Sequence, residues 1–405
     1  MKSEPNLATS SRDEKFCIAI LKSCAILKSR KDVEPLSDPL FFCPPLPFVF
    51  SWRNFMARYT KKPVDPSNLG TDPNSYTYVD GYGFTPPPPV ITERRMLQFY
   101  ANGLGFAVLF YFLLSGFVPF LLLRLFALAW PVIRVYGNQV IASSSVILMA
   151  NLLSSVICLT IPFFVFVLLC RVPLRTAFPL RRFSPGFGAL SCCVALGVSV
   201  IGLASSSLLT SLLESVNLDP HTSIAIPQKP ALLALTALQL CVVSPLVEEF
   251  VFRGMIFQSM RRFGDSFALT ISAILFALFH GNLVQAPNAF VMGLLIGYMV
   301  LYSGSLWVGV LIHAVNNLFN LLLNLLLAVL PEHLQPLFLL MQLALYLIVG
   351  IGALLVLVHQ YPNIFTFRRS TTFSTERIKY RVCFSSLTLT LAIALLVIMI
   401  IQNML

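Results

Sequence analysis

Two adjacent glutamates lie inside a stretch that otherwise has the composition of a membrane-spanning helix. Glu248 and Glu249 follow a largely apolar run, and Arg253 comes four residues after Glu249. A carboxylate at the centre of a bilayer costs roughly 2.5–3.5 kcal/mol on insertion scales, so such a residue usually marks a functional site. A carboxylate in a low-dielectric cavity is suited to act as a general base, which is the chemistry that activates a water molecule.

Two histidines and an asparagine occupy later apolar segments. His280 ends the run FALFH, and His313 and Asn317 lie in LIHAVNNLFN. Residues four apart share one face of a helix, so this segment offers an imidazole and a carboxamide to the same pocket. A single buried histidine is often structural, but several polar groups at membrane depth favour a joint site. We therefore predict one catalytic site made of Glu248, His280, His313 and Asn317.

The two glutamates have different predicted roles. Glu249 and Arg253 are spaced i,i+4 with the acid nearer the N-terminus, which is the favourable order for an ion pair on one helix face. Glu248 points about 100° away from that pair. The spacing thus predicts that Glu249 and Arg253 support the site as a structural pair, while Glu248 faces a cavity.

The composition determines the class of protein that must position these residues. The chain has 405 residues, of which 57% are hydrophobic and 11% charged, and its mean hydropathy is +0.81. These values are too apolar for a soluble globular protein and indicate a polytopic membrane protein. The net charge of +11 comes from basic residues in short loops, which is a topology signal and does not indicate a nucleic-acid partner. The nine cysteines show no metal-binding spacing.

Nine apolar segments approach the length of about 20 residues that spans a bilayer. They are 104–127, 140–170, 188–213, 231–257, 266–282, 286–302, 305–328, 337–358 and 383–402. The predicted fold is therefore an all-α bundle of about eight or nine transmembrane helices. The loops after the second, fourth and eighth segments are rich in arginine, which predicts that they and the N-terminus lie in the cytosol.

The chain divides into four predicted regions. Residues 1–100 form a flexible, proline- and tyrosine-rich cytosolic tail, and residues 101–229 form the N-terminal transmembrane helices. Residues 230–325 form the catalytic core, and residues 326–405 form the C-terminal transmembrane helices. Within the core, Glu248 and His280 each lie 16 residues from Gly264, or about 24 Å along two antiparallel helices. His313 lies only about 14 Å from the turn near Gly304 by the same rise, so its height matches less well.

Three short runs resemble the motifs of one protease family. EEFVFRG, FALFH and HAVNN are similar to the EExxxR, FxxxH and HxxxN motifs of the CAAX prenyl protease 2 family, also called CPBP or Abi intramembrane proteases. The resemblance covers about residues 230–325 and looks closer to the prokaryotic branch, which implies a multi-pass protein of a prokaryotic plasma membrane. It implies an endopeptidase with Glu248 as the catalytic glutamate, His280, His313 and Asn317 completing the site, and Glu249 and Arg253 supporting it. The implied substrate is a membrane-embedded or lipidated peptide, either of CaaX type or bacteriocin-like.

The residues leave the role of a metal open. Glu248, His280 and His313 would supply three ligands with a fourth position open for water, as in catalytic zinc sites. Asn317 would be an unusual zinc ligand, and the chain has no HExxH on one helix. Zn²⁺ as a cofactor and a metal-free glutamate mechanism are therefore both retained as predictions.

Two functions without catalysis use the same features. Polar residues at mid-membrane also mark proton-linked transport, although transporters of that kind usually carry internal repeats, and none is evident between the first four segments and the next four. The second alternative is an immunity or scaffold protein that keeps the fold without the activity. The complete set of motif residues favours the enzyme.

Overall fold

The computed structural model describes residues 77–79, 83–85, 89–130, 133–136, 139–217, 227, 229–366 and 372–403. The predicted flexible tail lies, up to residue 76, outside the described residues. The chain divides into two units, Met1–Pro86 and Pro87–Leu405. In the first unit, strand β1 (Thr77–Val79) pairs antiparallel with β2 (Gly83–Thr85).

The second unit consists of helices and one small hairpin. The helices are α1 (Pro89–Ala129), α2 (Ser144–Leu169), α3 (Leu174–Ala177), α4 (Pro185–Ser215), α5 (Pro230–Phe263), α6 (Asp265–Phe279), α7 (Ala286–Ser303), α8 (Leu306–Val329), α9 (Gln335–Gln360), α10 (Glu376–Phe384) and α11 (Leu387–Gln402). Strands β3 (Arg134–Tyr136) and β4 (Gln139–Ile141) form an antiparallel hairpin between α1 and α2.

The prediction of an all-α polytopic membrane protein is confirmed. In the described part of the chain, seven helices are long and apolar enough to cross a membrane, and the number rises to eight if α10 and α11, which meet at a bend of 76°, form one span. All nine predicted segments are helical, but α6 has only 15 residues, which is shorter than a usual span. The predicted number of eight or nine transmembrane helices therefore agrees with the structure at its lower limit of eight.

The first helix begins earlier than the sequence suggested. Residues 89–100, predicted as part of the tail, form the first turns of α1, and Leu97 and Tyr100 are buried in the core. The charged triplet that starts at Glu93 lowered the apparent hydropathy, but this carboxylate accepts hydrogen bonds from the backbone N–H groups of Phe373 and Ser374. The second segment begins later, because β4 occupies residues 139–141.

The helices pack around two main hydrophobic cores. One core joins α1, α2, α5, α6 and α11, and the other joins α4, α8 and α9, while α7 contributes to both. Small residues allow close approach, since a Cβ added to Gly197 of α4 would lie 2.8 Å from Gly350 Cα of α9. On α7, a Cβ added to Gly293 or Gly297 would contact α6 at 3.3 Å or 2.5 Å, so the GxxxG forms a close-packing face. The two cores therefore meet at α7.

Helix α5 is not a regular α-helix along its length. It contains two wider π-helical turns, Gln239–Val243 and Phe250–Ile256. The first turn precedes Pro245, whose ring would clash with the carbonyl four residues before it and which has no N–H to donate. The second follows directly after the glutamates. Single π turns inside α-helices are frequent at functional sites.

Candidate active site

The predicted ion pair between Glu249 and Arg253 is present in the site. Arg253 Nη1 donates a hydrogen bond of 2.9 Å to Glu249 Oε1, and both side chains have no exposed surface. Arg253 Nη2 also approaches the Gly293 carbonyl of α7 at 3.4 Å. A buried charge is tolerated when it is paired and hydrogen-bonded. The contact between Arg253 and the Gly293 carbonyl fixes α5 against α7. The ion pair with Arg253 neutralises Glu249 within its own helix.

Glu248 lies beside this pair but in a different environment. Its side chain is 22% exposed, whereas that of Glu249 is 0% exposed. Ser244 Oγ donates a 2.8 Å hydrogen bond to Glu248 Oε1. Neighbouring positions on a helix point about 100° apart, so one glutamate is enclosed and the other is accessible to a reactant.

His313 lies between the two glutamates. Its Nδ1 is 2.9 Å from Glu249 Oε1, and its Nε2 is 3.9 Å from Glu248 Oε2. The helix-height estimate placed His313 too far from the glutamates because it assumed parallel axes that start at one level, whereas α8 brings the imidazole directly to α5. If Nδ1 carries the proton and donates to the Glu249 carboxylate, Nε2 is left facing Glu248.

Phe276 contacts the imidazoles of both His280 and His313, although the sequence identified it only as part of a motif. Its carbonyl is 2.7 Å from His280 Nδ1, and since a carbonyl can only accept, Nδ1 must carry the proton. Its ring lies 4.0 Å from the Arg253 guanidinium, in cation–π geometry. The same ring makes edge contacts with His280 at 4.8 Å and with His313 at 5.6 Å.

His280 lies at the C-terminal end of α6, on the side of the glutamates. It is the C-cap residue of this helix, it is exposed, and it lies within electrostatic range of both Glu248 and His313. The hairpin of α5 and α6 turns at Gly264 with φ 120°, and Glu248 and His280, each 16 residues from that turn, lie within electrostatic range of each other. With Nδ1 bonded to the backbone, Nε2 is the nitrogen that is left for a reactant.

Asn317 satisfies a backbone carbonyl that α5 cannot satisfy itself. In the first π turn, the Ser244 N–H donates to Gln239 O rather than to Leu240 O. The next helical partner of Leu240 O would be residue 245, which is proline and has no N–H. Asn317 Nδ2 donates to Leu240 O at 2.8 Å. One of the two amide hydrogens of Asn317 is therefore structural, and the second remains for other contacts.

Three residues of the site were missed from sequence. A Cβ at Gly309 would lie 3.0 Å from Glu249 Oε2, so only glycine leaves room for this carboxylate. Ser244, noted above, has no motif that marks it. Tyr111 of α1 packs against Phe279 at 4.9 Å between ring centroids and lies within electrostatic range of Glu248. Gly309 lies one turn before His313 and Ser244 one turn before Glu248, each on the same helix face, so their spacing carried a sequence signal, whereas Tyr111 had none.

The predicted zinc ligands do not form a ligand set in this geometry. Among the described residues, no group of three or more His, Cys, Asp or Glu side chains is arranged to hold a metal ion. His313 Nδ1 contacts Glu249 and His280 Nδ1 contacts a carbonyl, so both rings keep Nε2 free. Glu248 Oε2 and His313 Nε2 lie 3.9 Å apart, against roughly 3.3 Å for two tetrahedral ligands that are each about 2 Å from one zinc. Zinc dependence stays a prediction.

The arrangement has the parts that amide hydrolysis requires. An accessible carboxylate, Glu248, can take a proton from water. Two ring nitrogens, His280 Nε2 and His313 Nε2, are directed away from their structural bonds. An amide hydrogen of Asn317 is available to a developing oxyanion. These groups come from α5, α6 and α8.

The central segment matches a known protein family. Residues 230–319 match the family described as "Rce1-like: Type II CAAX prenyl endopeptidase Rce1-like". The matched segment is less than a quarter of the chain, and it contains all six predicted site residues. It confirms the resemblance to CAAX prenyl proteases over these residues and supports a protease, while it does not distinguish the prokaryotic branch. The searches of curated proteins and of solved structures found no match to the chain.

Proposed function

We propose that this multi-pass membrane protein is an intramembrane endopeptidase that hydrolyses a peptide bond by means of water activated by Glu248. The observation that carries the proposal is the contrast between two adjacent carboxylates. Glu249 is enclosed and paired with Arg253, whereas Glu248 is partly exposed and faces His313. A general base must be within reach of a reactant, and a buried ion pair keeps the rest of the site rigid.

The proposed reaction uses Glu248 first as a base and then as an acid. Glu248 takes one proton from water while His280 Nε2 accepts the other hydrogen of that water and orients it. The water oxygen attacks the scissile carbonyl carbon and forms a tetrahedral oxyanion. When the C–N bond breaks, the protonated Glu248 returns its proton to the leaving amine. The products are a carboxylic acid terminus and an amine terminus, and the remaining water proton then moves from the acid to the amine to give a carboxylate and an ammonium, so atoms and charge balance.

The oxyanion is stabilised from α8 in this mechanism. Asn317 donates its second amide hydrogen to the oxyanion. In this mechanism His313 donates from Nε2, while its Nδ1 is held by the Glu249 carboxylate at 2.9 Å. Glu249 thus contacts both His313 and Arg253. Glu249 and Arg253 are thus positioning residues, since neither touches the reacting atoms.

The proposed substrate is a peptide delivered from the membrane, with a prenylated CaaX-type peptide as the first candidate because of the matched family. A bacteriocin-like hydrophobic peptide is the second candidate. We place the protein in a cellular membrane with the arginine-rich loops in the cytosol. A prokaryotic plasma membrane stays a prediction.

The test is cleavage of defined peptides by the purified full chain in detergent. A farnesylated CaaX peptide, its unprenylated form and a hydrophobic peptide library are incubated with the wild type and with Glu248→Ala. Glu332→Gln is the matched control, since it removes an exposed carboxylate at the start of α9. A chelator is added in parallel to each reaction.

We expect the wild type and the Glu332→Gln variant to cleave, and the Glu248→Ala variant to be inactive. Activity that survives the chelator supports the metal-free mechanism, whereas activity lost to the chelator and restored by Zn²⁺ supports a metal role. If the wild type cleaves nothing that the Glu248→Ala variant spares, the proposal is wrong. Proton uptake by the reconstituted wild type would then be measured for the transport alternative.

A further inference from the structure

A large cavity lies at one end of the bundle, away from the glutamates. It has a volume of about 900 Å³ and is formed by the α2–α4 connection, the end of α5, the start of α6, the end of α7 and the segment after α9. These are the ends where two of the arginine-rich loops were predicted to face the cytosol. The cavity is therefore at the level where a bilayer presents its headgroups.

The cavity carries an excess of positive charge. Arg175, Arg181 and Arg261 line it, and Asp265 is the one acidic residue in the lining among the described residues. Arg261 Nε donates to Asp265 Oδ1 at 2.8 Å, and its Nη1 donates to Gln258 Oε1 at 3.0 Å. Arg261 is thus already neutralised. In the described part of the chain, Arg175 and Arg181 have no carboxylate within salt-bridge distance, which leaves two positive charges at the cavity.

The backbone that carries these two arginines is held in place. Leu306 N–H donates to Pro179 O at 2.9 Å, and Ser305 Oγ donates to Arg181 O at 2.6 Å. Ala177 in the short helix α3 is fully buried and lies against Gly254, where an added Cβ would be 3.1 Å from its carbonyl oxygen. Arg175 and Arg181 therefore project from a fixed connection rather than from a loose loop.

The remaining lining combines hydrogen-bond donors with apolar surface. Thr176 and Asn363 offer a hydroxyl and an amide group, and Leu180 and Leu301 offer aliphatic surface. Guanidinium groups bind phosphate oxygens in bidentate geometry, and hydroxyl and amide donors complete such sites. A phosphate attached to an apolar group would match both parts of the lining.

We propose that this cavity binds a phosphate-bearing anion through Arg175 and Arg181. The phosphate comes either from an anionic lipid headgroup or from a free phosphate, and the apolar part of the lining suits the lipid. The site is separate from the glutamates and requires no peptidase activity. It would anchor the α2–α4 connection to the membrane surface next to helix α5.

The test is a binding titration with the purified full chain in detergent micelles. The probes are short-chain phosphatidic acid and, in a second arm, inorganic phosphate, with the bound fraction read by native mass spectrometry. The proteins are the wild type, the double variant R175Q/R181Q and the double variant R171Q/R182Q. The last removes the same charge from the same connection, at exposed arginines that do not line the cavity. Because all four side chains are exposed, we expect both variants to fold.

We expect R175Q/R181Q to weaken phosphatidic acid binding by about tenfold or more, as the loss of two charge-assisted contacts requires, and R171Q/R182Q to stay within about twofold of the wild type. Binding of phosphatidic acid alone identifies the lipid as ligand, and equal affinity for inorganic phosphate identifies the free anion. Equal weakening by the two double variants would show diffuse attraction and overturn the site. Absence of binding of both probes to the wild type would also overturn it.

Discussion

Gly309→Ala, which adds a single methyl group, should inactivate the site although it removes no functional group. A Cβ at this position would lie 2.8 Å from Val300 Cγ2, 3.0 Å from Glu249 Oε2 and 3.2 Å from Ile296 Cγ2. The first distance is closer than real Cβ contacts, and the neighbours are held in the core between α7 and α8. Gly309→Ala must therefore move Val300 or the α8 backbone, and it presses on the Glu249 carboxylate.

The expected magnitude follows from two opposing effects. Overpacking in a well-packed core costs about 1–3 kcal/mol, while alanine is favoured over glycine within a helix by about 1 kcal/mol. The net loss in the free energy of unfolding is thus about 0–2 kcal/mol, which leaves the protein folded. Activity should fall much further, because a displacement of about 1 Å in a catalytic group can cost about 100-fold in rate. His313 would lose its position along with Glu249.

The assay compares two glycine variants in parallel. Gly352→Ala is the matched control, since this glycine lies in helix α9 and an added Cβ there meets nothing within 4 Å. Thermal unfolding in detergent and cleavage of the farnesylated peptide are measured for the wild type and both variants. We expect Gly352→Ala to keep full activity and Gly309→Ala to lose most of it at a similar unfolding temperature.

One result would refute this reasoning. If Gly309→Ala cleaved as fast as Gly352→Ala, the position of the Glu249 carboxylate would not control the reaction. The positioning role proposed for Glu249 and Arg253 would then be wrong, although Glu248 would remain a candidate base. A variant that failed to fold would instead contradict the estimated free energy, and Gly309→Ser with its larger side chain would be expected to fail as well.

The other predictions concern the polar contacts around the same helix. Glu249→Gln should lower the free energy of unfolding by about 3–5 kcal/mol, because it leaves the Arg253 charge buried without a counter-ion. Glu248→Gln should change the free energy of unfolding by less than about 1 kcal/mol and abolish cleavage. Equal unfolding temperatures for the two variants would contradict this contrast. Asn317→Ala should lower the free energy of unfolding by about 1 kcal/mol, because it leaves a partly buried carbonyl without its hydrogen bond, as measured by denaturant or thermal unfolding. In a Pro245→Ala background, which restores a backbone N–H to the helix, the same Asn317→Ala change should cost less stability while cleavage stays low; recovery of cleavage would show that Asn317 acts only on the backbone.

The ion pair of the site could be predicted from sequence because its partners are local. Glu249 and Arg253 are one turn apart on one helix, so spacing alone determines that they meet. The electrostatic proximity of Glu248 and His280 was also predictable, since a tight turn at Gly264 fixes the register of two adjacent helices. Both predictions rest on short stretches of chain whose geometry is nearly invariant.

Other features depend on contacts between distant segments. The helix-height argument left His313 at an unmatched level, because the tilt of α8 relative to α5 is set by side-chain packing and not by either helix alone. The structural task of Asn317 follows from a π turn whose presence depends on Pro245 and on tertiary contacts. The early start of α1 was missed since Glu93 is satisfied by backbone groups about 280 residues later in the chain.

The pairing of Glu249 with Arg253 inside a single helix has a consequence for biosynthesis. Synthesis of the 64 residues between Glu249 and His313 takes roughly 3–13 s at about 5–20 residues per second. During this interval α5 has emerged from the ribosome, but α8 has not. A carboxylate whose only partner was on α8 would enter the lipid without a counter-ion. Arg253, in contrast, is synthesised four residues after Glu249 and enters the membrane with it. The order of the residues along the chain thus allows Glu249 to enter the translocon as half of a neutral pair before the site exists.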